Sequence, residues 1–272
     1  MKSLRDTGFV VFDVETTGLS PDQEDRIIEV AALRVRDLKV VDHFHSLLNP
    51  QREVSWGAFQ VNGISREMLK GAPLAKDILP DLLDFIGEDI LVGHNIKFDL
   101  GFLHHELIRL GLRPKKEMTA LCTLKMAKSL LPHLQRYPLW LVAESLGIDI
   151  RQEHRALSDV ELTFEVFKRL VSVADRRDIA DLEMITSLFA AQGVDHQRET
   201  RNKITRIEEA IQSQKTLNVA YFSSSQAALT FRRIDPKEIV RGDGSMQLKG
   251  FCHLRKELRH FRIDRILKLE EI

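Results

Sequence analysis

Apolar positions fall into runs of two different spacings, and the alternation between them orders the first two thirds of the chain. Phe9 to Val14, Ile27 to Val35 and Lys39 to Leu48 are rich in Val, Ile, Leu and Phe and are separated by turn residues, which predicts strands. Their short connections predict antiparallel pairing. A polar, irregular stretch through Asn62-Gly63-Ile64-Ser65 gives way to Leu74, Ile78, Leu82, Leu83 and Ile86, spaced as the buried face of a helix. A short strand, Ile90 to Val92, follows. From Phe98 a helical stripe of Phe102, Leu103, Leu107 and Leu110 runs to a stop at Gly111. A strand near Met118 to Cys122 and helices from Thr123, Leu139 and Leu157 complete a mixed α/β unit with helices on the faces of its sheet.

That unit is expected to end near Asp175, giving a first domain over 1–175. Residues 176–202 read as a helical connector, with a helical pattern over 178–192 that Gly193 ends. A helix from Asn202 to Gln212 precedes short strand candidates at Val219–Phe222, Leu229–Ile234, Met246–Phe251, Leu258–Ile263 and Ile266–Leu269. Asp235-Pro236 and Gly242-Asp243-Gly244 separate them as turns. Residues 203–272 are thus expected to form a small, mostly β domain.

Composition adds less. The length of 272 residues exceeds a typical domain of roughly 100 to 200, in keeping with one large and one small unit. Lys2 and Arg5 precede an apolar run, but Phe9 to Phe12 is too short for a signal peptide or a membrane span, so a cytoplasmic location and no membrane partner are expected. Cys122 and Cys252 are far apart and in no CxxC pairing, which suggests core thiols. The zero net charge hides an asymmetry. Residues 1–200 carry 25 Lys and Arg against 31 Asp and Glu, a balance of −6, while 201–272 carry 15 against 9, a balance of +6. An acidic part able to hold cations is joined to a basic part able to attract phosphates.

Asp13 and Glu15 end the first strand at positions i and i+2, on one face, followed by Thr16-Thr17-Gly18. Adjacent carboxylates repel unless a cation neutralises them. Taken alone, the pair reads more readily as a solvated junction between strand and turn. Asp99, after Gly93-His94-Asn95 and Phe98, sits where a helix follows a buried strand, a usual place for functional groups and also one where the helix dipole favours an acid. His154 and Asp159 flank another helix start and converge only if His154 lies on the preceding loop; otherwise His154 is a surface or capping residue.

Together these segments resemble the DEDDh exonucleases, the family of the proofreading subunit of bacterial DNA polymerase III. Phe12-Asp13-Val14-Glu15-Thr16-Thr17-Gly18-Leu19 is similar to the first motif, His94-Asn95-x-x-Phe98-Asp99 to the second, and His154-Arg155-Ala156-Leu157-x-Asp159 to the third. Further similarity lies in Arg26 to Ala32 and in Tyr137-x-Leu139 through Leu146-Gly147-Ile148. The resemblance spans about residues 7–172 and implies a ribonuclease H-like fold: a mixed sheet flanked by helices. It further implies that Asp13, Glu15, Asp99 and Asp159 hold two divalent ions, Mg²⁺ or Mn²⁺, and that His154 is the general base of a 3′-to-5′ exonuclease releasing nucleoside 5′-monophosphates. Hard carboxylate oxygens suit those ions, and an imidazole of ordinary pKa about 6.5 suits proton removal near neutrality. Thr16, Thr17, Gly18 and Leu19 would contact the terminal nucleotide, beside Asn62, Asn95 and Phe98. Asn62 stands where many relatives have His, and Cys122 where they often have Asp. The expected partners are 3′ ends of single-stranded DNA, which the first motif favours, or RNA, and association with a polymerase stays open. A non-catalytic binding regulator is the competing class.

The tail from about residue 203 resembles the WYL domain, a small Sm-like β-barrel, through Phe251-Cys252-His253-Leu254-Arg255 and Arg259-x-Phe261-Arg262-Ile263-Asp264-Arg265-Ile266. Met246-Gln247-Leu248 stands in the Trp-Tyr-Leu position. The resemblance implies a nucleotide or nucleic-acid ligand. Arg255, Arg259, Arg262 and Arg265 are spaced for a β-hairpin to gather several for phosphate contacts. A solvated face with ion pairs to Glu257 and Asp264 is the alternative.

Overall fold

Strand β1 (Phe9–Thr16) is the spine of the larger sheet, and its apolar stretch is buried on both faces, as in a strand with helices above and below it. The computed structural model describes residues 4–149, 155–179, 181–191, 194–224, 226–242 and 245–272. β1 pairs antiparallel with β2 (Ile27–Arg36), which pairs antiparallel with β3 (Lys39–Leu47). Helices α1 (Trp56–Asn62), α2 (Arg66–Leu69) and α3 (Ala75–Ile86) lead to β4 (Ile90–Gly93), parallel to β1. Helix α4 (Lys97–Leu110) returns the chain to β5 (Ala120–Cys122), parallel to β4. After α5 (Thr123–Leu130), α6 (Leu139–Ser145), α7 (Ala156–Asp175) and α8 (Leu182–Phe189), β6 (Ala190–Ala191) closes a six-stranded sheet ordered β3-β2-β1-β4-β5-β6.

The period of two along β1 sorts its side chains into two cores. Phe9 and Val11 join Leu33, Leu121 and the apolar faces of α5, α6 and α7, while Val10, Phe12 and Val14 join Leu79, Leu82, Phe102 and Leu103 of α3 and α4. This is the mixed, helix-flanked sheet that the alternation of elements predicts.

Three differences from the sequence reading have local causes. The polar, irregular stretch between β3 and Leu74 contains α1 and α2, whose start signals are Ser55 and Ser65: each hydroxyl accepts from a backbone N–H three residues on, Ala58 at 3.1 Å and Met68 at 3.4 Å. The segment expected as a connector supplies α8 and β6, and β6 pairs with β5 although two alanines are too short a strand to show a period. The turn expected at Asp235-Pro236 lies inside a longer strand, where a bulge between Pro236 and Glu238 accommodates the missing proline N–H.

That strand is β8 (Ala228–Gly242), part of a second sheet. After α9 (Val194–Gln212) come β7 (Leu217–Ser223), β8, β9 (Ser245–Cys252), β10 (Glu257–Arg262) and β11 (Ile266–Glu271), all antiparallel in the order β10-β9-β8-β7-β11. Ile207 and Ala210 of α9 pack on Leu217, Val219, Ile234, Leu248 and Phe261 to form its core. The two sheets meet through Phe222 of β7, whose ring lies edge-on to Phe189 of α8, with centroids 6.3 Å apart. Among the described residues no helix is long and apolar enough to cross a membrane.

Candidate active site

Asp13 and Glu15 continue the face of β1 that carries Phe9 and Val11, the face covered by α7, at the point where the apolar run ends. Helix α7 answers with an acid of its own. Its buried stripe runs Ala156, Asp159 and Val160, Thr163, Phe167, Leu170 and Ala174, so Asp159 belongs to the sheet-facing side, one turn in from the helix start. One oxygen each of Asp13, Glu15 and Asp159 lies within 4.8 Å of the others. From the opposite layer, Asp99 occupies the buried stripe of α4 with Phe102, Leu103 and Glu106, and its Oδ1 accepts the Val14 backbone N–H at 3.1 Å. The helix stripes therefore aim both acids at the end of β1.

The electrostatics follow from this crowding. Burial raises the Asp13 carboxyl well above its usual range, and the Asp99, Glu15 and Asp159 carboxylates push it further in the same direction. Burial and then Asp159 push Glu15 up to about 8, against an opposing hydrogen bond from Asn62. Asp99 is raised to about 7, chiefly by burial. Acids gathered at mutual cost, with oxygens of three of them in reach of one point, fit a hard divalent cation held by oxygen ligands.

The loop after β1 is fixed by neighbouring acids and amides. Thr17 Oγ1 donates to Asp25 Oδ1 at 3.0 Å and accepts from the Arg26 N–H at 3.0 Å; Ser20 N–H donates to Asp25 Oδ2 at 3.1 Å. Gly18 is required here, because a Cβ would collide with the Asp25 carboxylate. The loop holds Leu19 out into solvent, 85% exposed. Thr16 Oγ1 is turned back onto the Gly18 carbonyl at 2.6 Å. Asn62 is buried beside Glu15: its Nδ2 reaches the Thr16 carbonyl at 3.4 Å and its Oδ1 accepts from Ile64 N–H at 3.0 Å. Asn95 stands exposed in a left-handed conformation (φ 63°) and Phe98 is half-buried on Phe102, with ring centroids 4.9 Å apart. His94 bridges Thr123 and the Tyr137 carbonyl beneath the loop, and burial lowers its pKa. His154 lies outside the described residues.

Two further side chains near these segments carry no role in the sequence reading. Glu29 of β2 is fully buried and holds the chain leading into α7: Arg155 Nη2 donates to its Oε1 at 2.6 Å, Ala156 N–H to its Oε2 at 3.1 Å, and His45 approaches at 2.8 Å. Burial alone would raise this carboxyl; Arg155, His45 and the Ala156 amide outweigh it and hold it below the usual range. The available signal was an acid within an otherwise apolar strand. Trp56, 74% exposed, starts α1 beside Phe59, and its neighbour Ser55 donates its N–H to the Thr17 carbonyl at 3.0 Å. An exposed indole is thereby tied to the loop carrying Leu19.

In the tail the four arginines are not drawn into one patch of free cations. Arg259 pairs with Glu257 at 3.0 Å, Arg262 with Asp264 at 2.7 Å, and Arg265 donates to Ser224 at 2.8 Å, while Arg255 is exposed in the turn after β9.

Comparison with known proteins agrees with this arrangement. The family profile described as Exonuclease matches residues 10–167, and the WYL domain profile matches 202–271. A DNA polymerase III of PolC type from Caldanaerobacter subterraneus subsp. tengcongensis is 34% identical over 229 residues, which is 84% of this chain and 16% of that protein. Another, from Thermotoga petrophila, is 39% identical over 187 residues, 68% of this chain and 13% of that one. The chain thus spans about a sixth or less of the length of these curated relatives. Among solved structures, product-bound exonuclease I superposes with a TM-score of 0.59 over 97% of this chain and 65% of that one, at 15% identity, a likeness of fold.

Proposed function

The chain belongs to the exonuclease family, and from that premise we propose that it is a metal-dependent 3′-to-5′ exonuclease acting on single-stranded nucleic acid, DNA in preference to RNA. The observation that carries this reading is the convergence of Asp13, Glu15 and Asp159, from two separate segments of the chain, within 4.8 Å. A module that only bound a phosphate backbone would gain nothing from acids that repel it.

In this reading Asp13, Glu15, Asp99 and Asp159 hold two divalent ions, Mg²⁺ or Mn²⁺. When bound, these supply positive charge for the attacking and leaving oxygens of a phosphodiester displacement. The remaining work belongs to the chain. His154 takes the proton of the attacking water, whose oxygen bonds to phosphorus as the bond between phosphorus and the 3′ oxygen breaks; the departing 3′ oxygen takes a proton from solvent, leaving a nucleoside 5′-monophosphate and a strand with a new 3′ hydroxyl. Thr16, Thr17, Gly18 and Leu19 place the terminal nucleotide, with Asn95 and Phe98 beside it, and Asn62 steadies Glu15 from behind. Arg155, held by Glu29, fixes the segment that follows His154.

The WYL region is proposed to capture or sense nucleic acid; of the arginines expected to contact phosphates, Arg259 and Arg262 are held by Glu257 and Asp264 and Arg265 by Ser224, and Arg255 is exposed for such a contact. A DNA polymerase is the protein partner that the PolC relatives suggest. Digestion of a 5′-labelled oligonucleotide with Mg²⁺ or Mn²⁺ is the test: a ladder shortening from the 3′ end is expected, and none with Asp13→Ala. Equal shortening by that variant removes the proposal, and faster loss of a matched RNA in competition reverses the substrate preference.

A further inference from the structure

Strand β7 has two faces. Leu217, Val219 and Tyr221 turn into the tail's own core, so Asn218, Ala220 and Phe222 share the other side. Phe222 is buried at the junction with α8, and two residues back Ala220 leaves the face low. Its register partners are Phe231 on β8 and Lys268 on β11; those of Asn218 are Arg233 and Glu270. The result is a groove of about 360 Å³, floored by Ala220 and walled by Phe231, 76% exposed.

A lone exposed aromatic means little; its company here decides the matter. Arg233 and Lys268 line the groove against one acid, Glu270, and among the described residues none of the three is in an ion pair. The arginines of β10 are in contrast matched to Glu257 and Asp264. A flat apolar ring beside uncommitted cations presents the two features a single nucleic-acid strand offers in return, a base face and a phosphate.

We propose that this groove is a second seat for the single strand, in which Phe231 stacks a base while Arg233 and Lys268 hold the flanking phosphates. The proposal rests on the reading of the substrate as a nucleic-acid strand. It places the contact on β7, β8 and β11, on the opposite face of β7 from the tail's core and next to the Phe222 junction with the catalytic domain.

Binding of the full chain to a labelled oligothymidylate of about twenty nucleotides, read by fluorescence anisotropy with divalent ions chelated, tests it. Phe231→Ala is expected to weaken binding about 5- to 30-fold, with Phe231→Trp restoring it. Arg233→Gln combined with Lys268→Gln is expected to reduce the salt slope by roughly 1.4, the share of two phosphate contacts on a single strand. Turnover of a dinucleotide should stay at the parental rate in all of these variants. Affinity unchanged by Phe231→Ala overturns the proposal; displacement of the oligomer by equimolar thymidine monophosphate overturns it in favour of a free-nucleotide site. Because hydrolysis is switched off, the outcomes separate: groove-dependent binding without any strand shortening sinks the nuclease reading alone, and normal digestion with unaltered affinity sinks the groove alone.

Discussion

Glu15 and Asp99 are easier to protonate in the folded chain than in the unfolded one, and that difference has a sign. A carboxyl whose pKa folding raises favours the fold at low pH, and the benefit is lost as pH rises through about 7 for Asp99 and about 8 for Glu15. The metal-free protein should therefore melt at lower temperature near pH 8.5 than near pH 6, and Mn²⁺ should recover more of the Tm at the higher pH. Glu15→Gln removes one repelling charge at little change in shape. It is expected to raise the metal-free Tm by a few degrees near pH 8.5 while abolishing digestion, and a lowered Tm in calorimetry would contradict the assignment. Trp56 calls for a different measurement. Its exposed ring, next in sequence to the Ser55 that bonds the Thr17 carbonyl, is suited to stacking on a base, so Trp56→Ala should raise KM for single strands about 5- to 30-fold and leave Tm unchanged. An unaltered KM would return Trp56 to the ordinary surface.

Helix α7 shows how an element inherits its position. Its apolar stripe docks it on the sheet, but the stripe alone leaves the height of its first turn undefined; Glu29 sets that through Arg155 and the Ala156 amide. Removing one partner of a buried pair strands the other, so Glu29→Ala should cost roughly 3 kcal/mol in denaturant unfolding, discounted from fully buried cases because Arg155 is 32% exposed. Glu29→Gln should cost less, and in both variants activity should fall further than stability explains. Equal stability in Glu29→Ala would exclude the anchoring role. The same helix marks what was legible in the sequence. The stripe from Val160 to Leu170 and the strand run from Phe9 to Phe12 were visible because a period of 3.6 or 2 repeats often enough to be read. The three acids that converge were visible through their motifs. Glu29, the serine caps of α1 and α2, and the paired alanines of β6 were not, since each acts through long-range or terminal hydrogen bonds and leaves no periodic trace.

At the scale of the whole molecule the two sheets are less independent than their separate cores suggest. Phe222, 1% exposed, lies in the same apolar cluster as Phe189, Ile185 and Phe167 of the catalytic unit. Calorimetry is accordingly expected to record one coincident transition for the two parts, and Phe222→Ala to lower it, with a loss of roughly 3 kcal/mol or more from the cavity. Two well-separated transitions in the parental protein would show the junction to be weak. Phe222 also bears on how such a chain can be shortened. Cutting away the tail would lay bare a ring-sized scar around Phe189, greasy enough to glue one copy to the next, so a trimmed enzyme would stay soluble only after the scar had been repainted with polar side chains.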